Sequence, residues 1–405
     1  MDRVILHCDL NSFYASVELL SHPELRAQPV AVCGDPASRH GIILAKNEPA
    51  KACGVKTAET IWQAQRKCPG LVLLPSHHAL YREYSKKVNS IYYGYTDLVE
   101  PFGIDESWLD VTGTLHLFGG DARALADRIR THIKRELGLT ISVGVSFNKV
   151  FAKLGSDYKK PDATTVIRRE DVPRIVHPLP VTDLLYVGHA AAERLHKLGV
   201  RTIGDLAKAD PAALSRLLGK QGEQLIAYAK GEDSSPVAPA GWHEPPKSVG
   251  NGETFAENIK GEAAVRGALL LLSEEVGERL RAHGLDCTTV QVTIRDPDFR
   301  TITRQAPLPC PSCLSRELAE ACLSLVRATG RLDRPIRMLT VTALGLVPAG
   351  ETGIQIDLFS PHAAEDREKL ERLEHAKDAI RAKYGRDALQ LGRVKHAPKK
   401  GEKPE

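Results

Sequence analysis

A proline-rich break past the middle of the chain constrains the fold more than any other feature. Residues 232–246 carry four prolines and no periodicity, so they read as a semi-rigid, extended connection, with the linker proper over 233–245. At about 150 residues per domain, a chain of 405 residues divides into two or three domains. Each side of the break is long enough for its own core. Before it, the elements run β-α-β, an insertion, β-α-β-α and then a helical stretch. After it, they run β-α-β-β-α-β. The expected class is α+β, built on split βαβ sheets.

Strands are read over 3–9, Pro29–Gly34, Asp105–Val111 and Thr140–Val145. Helices are expected over Ser12–Leu20, with Ser12 as N-cap, and over Thr60–Lys67, Tyr81–Tyr92, Asp121–Leu137 and Asn148–Tyr158. Strand Asp105–Val111 is read as alternating and led by acids. Residues 26–77 form an insertion into this ferredoxin-like pattern. The stretch 166–231 is short and helical, with Gly188 before one helix and Gly199 in the turn to the next. Helix, glycine turn, helix is the pattern of a helix-hairpin-helix, whose turn brings backbone N–H groups to a DNA phosphate. An ordinary αα-hairpin with a glycine C-cap has the same pattern.

The second ferredoxin-like pattern has strands Lys247–Phe255, 287–295, 299–305 and 337–346, with helices 261–283 and 315–329. Val290, Val292 and Ile294 alternate with Gln291, Thr293 and Arg295, and Thr340 and Thr342 alternate with Leu339, Val341 and Ala343. Period-two alternation gives one buried and one wet face. The wet face is expected to hold Lys247 and Arg295, with Arg300 and Arg304, and could track a phosphate backbone without reading bases. A plain solvated sheet would look the same. The charged helix 363–385 has an apolar stripe of Leu370, Leu373, Ala376 and Ile380, and a basic tail begins at Arg393.

With 42% apolar and 26% charged residues, the chain is neither disordered throughout nor fibrous. The longest strictly apolar run found in a helical stretch is Ala268–Leu272, far below a bilayer span. The first residues run straight into a strand, with no signal-peptide pattern. The eight scattered cysteines do not make a disulfide framework and suit a reducing cytosol. The Cys310–Cys313 pair has no second pair at ligand spacing, so zinc is not expected. Net charge is +4, which permits a nucleic-acid partner without requiring one.

Two strand ends carry the chemistry. Asp9 ends the first strand, and Asp105 and Glu106 open another. If these strands are neighbours, three carboxylates converge and repel one another. Two Mg²⁺ ions, hard cations suited to oxygen ligands, resolve that repulsion. About 4 Å apart, they would activate a 3′-hydroxyl and stabilise a leaving pyrophosphate. Exposed acids at strand ends are the alternative. Lys51 and Lys160 lie where they could hold a triphosphate.

These residues resemble a known family. Asp9-Leu10-Asn11-Ser12-Phe13-Tyr14-Ala15-Ser16-Val17-Glu18 is similar to the first motif of the Y-family DNA polymerases, and Gly103-Ile104-Asp105-Glu106-Ser107-Trp108-Leu109-Asp110 to the second. Ser142 to Asp157 with Lys160-Pro161 resembles the third, and the glycine hairpin and Lys247-Ser248-Val249-Gly250-Asn251 also match. The resemblance covers residues 1–385 in order and falls in the DinB branch. It implies a right-hand polymerase with a palm (1–25 and 78–165), small fingers (26–77), a helix-hairpin-helix thumb (166–232), a little finger (246–346) and a tail (347–405). It implies low-fidelity, template-directed synthesis across damaged bases on primer-template DNA with deoxynucleoside triphosphates. It also implies a cytoplasmic bacterial monomer, nucleoid-associated when active, whose modules leave no room for proofreading.

The resemblance makes Asp9, Asp105 and Glu106 the catalytic carboxylates, which with the Leu10 carbonyl hold two Mg²⁺. Phe13, Tyr14, Lys51 and Lys160 become nucleotide contacts, Tyr14 as the ring that excludes a ribose 2′-OH. Gly188, Gly199, Lys247, Arg295, Arg300 and Arg304 become DNA contacts. Gln355-Ile356-Asp357-Leu358-Phe359 resembles the peptide by which bacterial polymerases bind the sliding clamp, with Gln355, Leu358 and Phe359 as its anchors. Three positions depart from the pattern. Asn11 replaces a second Asp, Lys51 an Arg, losing its bidentate fork, and Glu48 a Tyr. Glu48 would repel phosphate unless it turns away or pairs with a lysine. A nucleotide cyclase could share the palm but would need neither the hairpin nor the second sheet. A non-catalytic DNA-damage accessory is the third reading.

Overall fold

The computed structural model describes residues 2–35, 41–242, 244–350, 363–385 and 388–389. It divides into two compact units, Met1–His243 and Glu244–Glu405. The first unit opens with β1 (Ile5–Leu10), α1 (Phe13–Ser21), β2 (Val30–Cys33), β3 (Ile43–Lys46), α2 (Glu48–Ala52), α3 (Ile61–Lys67), β4 (Val72–Pro75) and α4 (His78–Tyr93). It continues with β5 (Val99–Pro101), β6 (Glu106–Asp110), α5 (Ala122–Leu137), β7 (Ile141–Ser146), α6 (Lys149–Tyr158) and β8 (Thr164–Val166). Four helices close it: α7 (His189–Lys197), α8 (Ile203–Ala207), α9 (Pro211–Leu218) and α10 (Lys220–Lys230).

Its main sheet has the order β5-β6-β1-β7-β8. β1 pairs antiparallel with both β6 and β7, so it is central and all six of its residues are buried. Leu6, Cys8 and Leu10 face a core shared with Tyr81, Leu109, Ile129 and Ile133. Ile5 faces Trp108 and Ala152 on the other side. β6 departs from the expected alternation: Ser107, Trp108, Leu109 and Asp110 are all buried, because this strand too is covered on both faces.

Local signals set the helix ends. Asp121 caps α5 by accepting from Arg123 and Ala124 N–H, and Gly138 ends it in the left-handed region. Asn148 caps α6. Ser12 occupies the N-cap of α1 as expected, but it makes no side-chain cap and holds φ at 48°. A left-handed serine is a strained link between the acid-bearing strand and its helix. At Gly144, an added Cβ would overlap the Ala152 carbonyl and the Ser156 N–H, so only glycine lets α6 settle on β7.

The insertion forms a sheet of order β3-β2-β4. The buried Asn47 ties it together: its Oδ1 accepts from Val30 N–H at 2.9 Å and caps α2 through Ala50 N–H at 3.1 Å.

The second unit holds β9 (Ser248–Ile259), α11 (Glu262–Ala282), β10 (Leu285–Arg295), β11 (Thr301–Ser312), α12 (Ser315–Ala328), β12 (Ile336–Pro348) and α13 (Ala363–Tyr384). The sheet order is β11-β10-β12-β9, antiparallel throughout. Val290, Val292, Ile294, Leu339 and Val341 pack under Leu269, Leu272, Leu318 and Val326. At about 1.5–3 kcal/mol per fully buried aliphatic side chain, this layer dominates the unit's stability.

The apolar stripe of α13 does not dock. Leu370, Leu373 and Ile380 remain 42%, 56% and 39% exposed. α11 turns Glu274 and Arg281 toward α13, so the charged face of α13 is the one that fits. Lys377 and Arg381 each lie 2.7 Å from Glu274, and Asp378 lies 2.6 Å from Arg281.

Candidate active site

Asp9 and Glu106 are register partners across β1 and β6. The Leu10 N–H donates to the Asp105 carbonyl at 2.9 Å, carrying the pairing one step further. The strands expected to be neighbours are neighbours, and Asp9, Asp105 and Glu106 share one cleft of about 350 Å³. Leu10, Phe13, Ala45, Lys46, Glu48, Lys51, Lys153 and Lys160 also line it.

Two ammonium groups sit among the carboxylates. Lys160 Nζ lies 2.7 Å from Asp9 Oδ2 and 2.7 Å from Asp157 Oδ1. Lys153 Nζ lies 2.6 Å from Glu106 Oε2 and 3.5 Å from Asp9 Oδ2. Burial, then the charges of Asp9 and Glu106, push Asp105 up to about 6. Burial would also raise Glu106, but hydrogen bonding with His7 and Lys153 outweighs it and draws Glu106 down to about 2.

The donor set fits hard divalent cations. Asp9, Asp105, Glu106 and Asp157 place four carboxylates against two ammonium groups, and the charges of Asp9 and Glu106 add to burial in raising Asp105. Donor atoms of His7, Asp9 and Glu106 lie within 4.8 Å of one another. Oxygen ligands around this cluster match magnesium chemistry.

The expected nucleotide contacts separate. Phe13, Lys51 and Lys160 line the cleft, whereas Tyr14 stacks on Tyr81 with ring centroids 4.0 Å apart. Tyr14 is nonetheless close enough to Asp105 for that carboxylate, after burial, to push its phenol up. Glu48 pairs with Lys51 at 3.7 Å, which is one of the two resolutions open to an acid there.

The expected DNA contacts fare unevenly. Gly188 is the N-cap of α7 and supplies no side-chain cap. Gly199, at φ 80°, turns the chain toward α8. The N–H groups of Gly199 and Val200 donate back to His196 and Leu195, so that turn uses its own donors. Thr293, Thr340 and Thr342 share the open sheet face with Arg295, as expected. Arg304 does not: the register pairs it with Val292, which places it on the helix-bearing face. Arg300 lies in the connecting turn, its N–H on Asp296 Oδ1. Lys247 precedes β9 and pairs with Glu244 at 2.9 Å. Gln355, Leu358 and Phe359 lie outside the described residues.

Sequence reasoning missed His7, Lys46, Lys153 and Asp157. A signal existed for two of them: Lys153 and Asp157 are four apart on the helix of the third motif, one turn from Lys149 and Lys160 respectively.

Comparison with known proteins follows the same lines. The impB/mucB/samB family matches residues 8–157, and its C-terminal domain matches 246–358. The DNA polymerase-iota thumb domain matches residues 182–233. A DNA polymerase IV of Acetivibrio thermocellus is 49% identical over 392 residues, covering 97% of both chains. DNA polymerase IV 1 of Bacillus subtilis is 39% identical, covering 96% of this chain and 92% of that one. The solved structure of a Y-family DNA polymerase chimera (Dbh-Dpo4-Dbh) superposes with a TM-score of 0.75 at 22% identity, covering 85% of this chain and 99% of that one.

An acid pair on adjacent strands, within this fold and this set of relatives, defines a Y-family DNA polymerase, and the chain belongs to that family. Its 49% and 39% identity to these relatives places it in the DNA polymerase IV, DinB-like branch. By class it is a DNA-directed DNA polymerase. Among the described residues, no helix is long and apolar enough to cross a membrane.

Proposed function

We propose that the protein carries out translesion synthesis, extending a primer along damaged template DNA at low fidelity and without proofreading. The observation that carries the reading is the β1–β6 pairing, which sets Asp9 beside Glu106 at the floor of a cleft also lined by Asp105, Lys51 and Lys160. Asp9, Asp105, Glu106 and the Leu10 carbonyl would hold two magnesium ions. Bound there, the metal supplies Lewis-acid activation of the primer 3′-hydroxyl and charge stabilisation at the leaving pyrophosphate.

The chain's own groups do the positioning. Lys160 and Lys51 bind the triphosphate, and Lys160 reaches it by leaving Asp9. Phe13 packs beneath the incoming nucleotide. Tyr14, braced by Tyr81, closes the space beside C2′ of the sugar. The modules of this reading are palm 1–25 and 78–165, fingers 26–77, thumb 166–232, linker 233–245 and little finger 246–346. The first-turn N–H groups of α7 after Gly188, together with Arg295 and the threonines of the open sheet face, hold the duplex backbone. Arg300 and Lys247 contribute charge at the rim. Residues Gln355, Leu358 and Phe359 tether the enzyme to a sliding clamp, raising its effective concentration at the primer end. The protein works as a monomer in the cytoplasm, on the nucleoid.

Primer extension tests this reading. Extension is expected on undamaged and abasic templates with Mg²⁺ and not with chelator, and a mismatched primer end should persist without excision. Failure to extend any primer with Mg²⁺ would leave the DNA-binding accessory in its place.

A further inference from the structure

His7 is fully buried two residues before Asp9, on the same face of β1. Its register partners are Trp108 on β6 and Gly144 on β7. Because Gly144 has no side chain, α6 comes down over His7 and brings Ser156 Oγ to 2.8 Å from Nδ1. The other ring nitrogen, Nε2, points at Glu106 Oε2 from 3.3 Å. The Trp108 indole packs edgewise on the ring, with centroids 5.4 Å apart, and fixes its plane.

Nε2 meets the carboxylate inside the protein, since His7 is fully buried. A bare Nε2 would turn a nitrogen lone pair on that carboxylate, which is repulsive. With a proton on Nε2, the ring donates to Glu106. Ser156 Oγ donates to the Lys153 carbonyl at 2.7 Å, and its 2.8 Å contact with Nδ1 ties the ring to α6.

We propose that His7 is a positioning residue, whose Nε2–H, aimed by the packing of the ring between Trp108 and Ser156, holds the Glu106 carboxylate in its ligating orientation. This rests on the reading that Glu106 holds metal. Lys153 now donates to the same oxygen at 2.6 Å. Once a divalent cation displaces that ammonium, His7 is the donor that stays. Partners of this kind typically change metal affinity by about 10-fold to 100-fold.

The test is Mn²⁺ titration of the full chain on dideoxy-terminated primer-template with incoming nucleotide, followed by electron paramagnetic resonance. His7→Gln places an amide donor near Nε2, and His7→Asn places one near Nδ1. The expected result is Mn²⁺ affinity within a few-fold of wild type for His7→Gln, about 10-fold or more weaker for His7→Asn, and intermediate for Ser156→Ala. DNA affinity and thermal midpoint should be alike in all three. Spin-echo spectra should show no nitrogen bound directly to manganese. Equal affinity in His7→Gln and His7→Asn overturns the proposal, as does a directly coordinated imidazole. Glu106→Gln separates the two readings: if it binds Mn²⁺ as wild type does, the metal assignment of Glu106 fails rather than the role of His7.

Discussion

Lys160 donates to Asp9 Oδ2 at 2.7 Å, so a group expected at the triphosphate rests on a group expected at the metal. On the proposed reading the two roles would be sequential: the ammonium neutralises the acid, and would be free for phosphate where a cation took its place. Pairing of this kind avoids the cost of a bare buried carboxylate.

Asp105→Ala is expected to reduce primer extension to background while leaving DNA affinity within a few-fold. The acid is assigned to metal, and affinity to phosphate contacts elsewhere. A gel-shift titration beside an extension assay decides this, and parallel loss of both would make Asp105 a folding residue.

Tyr14→Ala should admit ribonucleotides, with discrimination falling at least tenfold, or about 1.4 kcal/mol. Tyr81 would lose its stacking partner, so the thermal midpoint should be recorded alongside single-nucleotide insertion. Unchanged discrimination in a folded variant would show that the sugar is selected elsewhere.

Glu48→Gln frees Lys51 from its exposed partner. The apparent KM for deoxynucleotides should fall roughly 2–5-fold, in keeping with a sub-kcal/mol surface pair, and the benefit should shrink in high salt. A KM that does not move would place both side chains away from the triphosphate.

The double substitution Leu358→Ala with Phe359→Ala should abolish capture by the sliding clamp in a pull-down. Insertion of one nucleotide on a short primer without clamp should be that of the unaltered protein. Clamp capture that survives would move the tether to the basic tail.

Docking of α13 should loosen in acid. Burial alone would raise Glu274, but hydrogen bonds from Lys377 and Arg381 prevail and hold it below the ordinary carboxylate range. A depressed folded value means the contribution is complete above the unfolded value of about 4.3 and is lost as pH falls through the folded one. Amide exchange of α13 should therefore accelerate below about pH 4. Glu274→Gln should reproduce that loss at neutral pH, costing about 1.5–3 kcal/mol of docking. Unchanged exchange in the variant would mean that Arg281 and Asp378 suffice.

Much of this was legible in sequence, for identifiable reasons. Asp9 closes one strand and Asp105-Glu106 lead another, and neighbouring strands leave those acids little choice of place. Lys153 was not legible as a site residue because its partners come from β1 and β6, and no local pattern reports a lysine's direction across a sheet. Arg304 was misplaced because parity carried across a hairpin depends on turn length, and the register Thr293–Thr303 puts it on the other face. The alternation expected of β6 assumed one wet face, while helices cover both. The stripe on α13 was visible, but the charged residues that outcompete it belong to α11.

Gly144 gives the active site a mechanical dependence on a residue with no chemistry of its own. The distance between sheet and helix there is set by the absence of one methyl group, and α6 carries Lys153, Ser156 and Asp157 on a single rigid rod. Whatever thickens that layer lifts all three from the acids at once. Tolerance to change at this position is therefore governed by clearance, and one added carbon atom would disturb the acids without itself touching them.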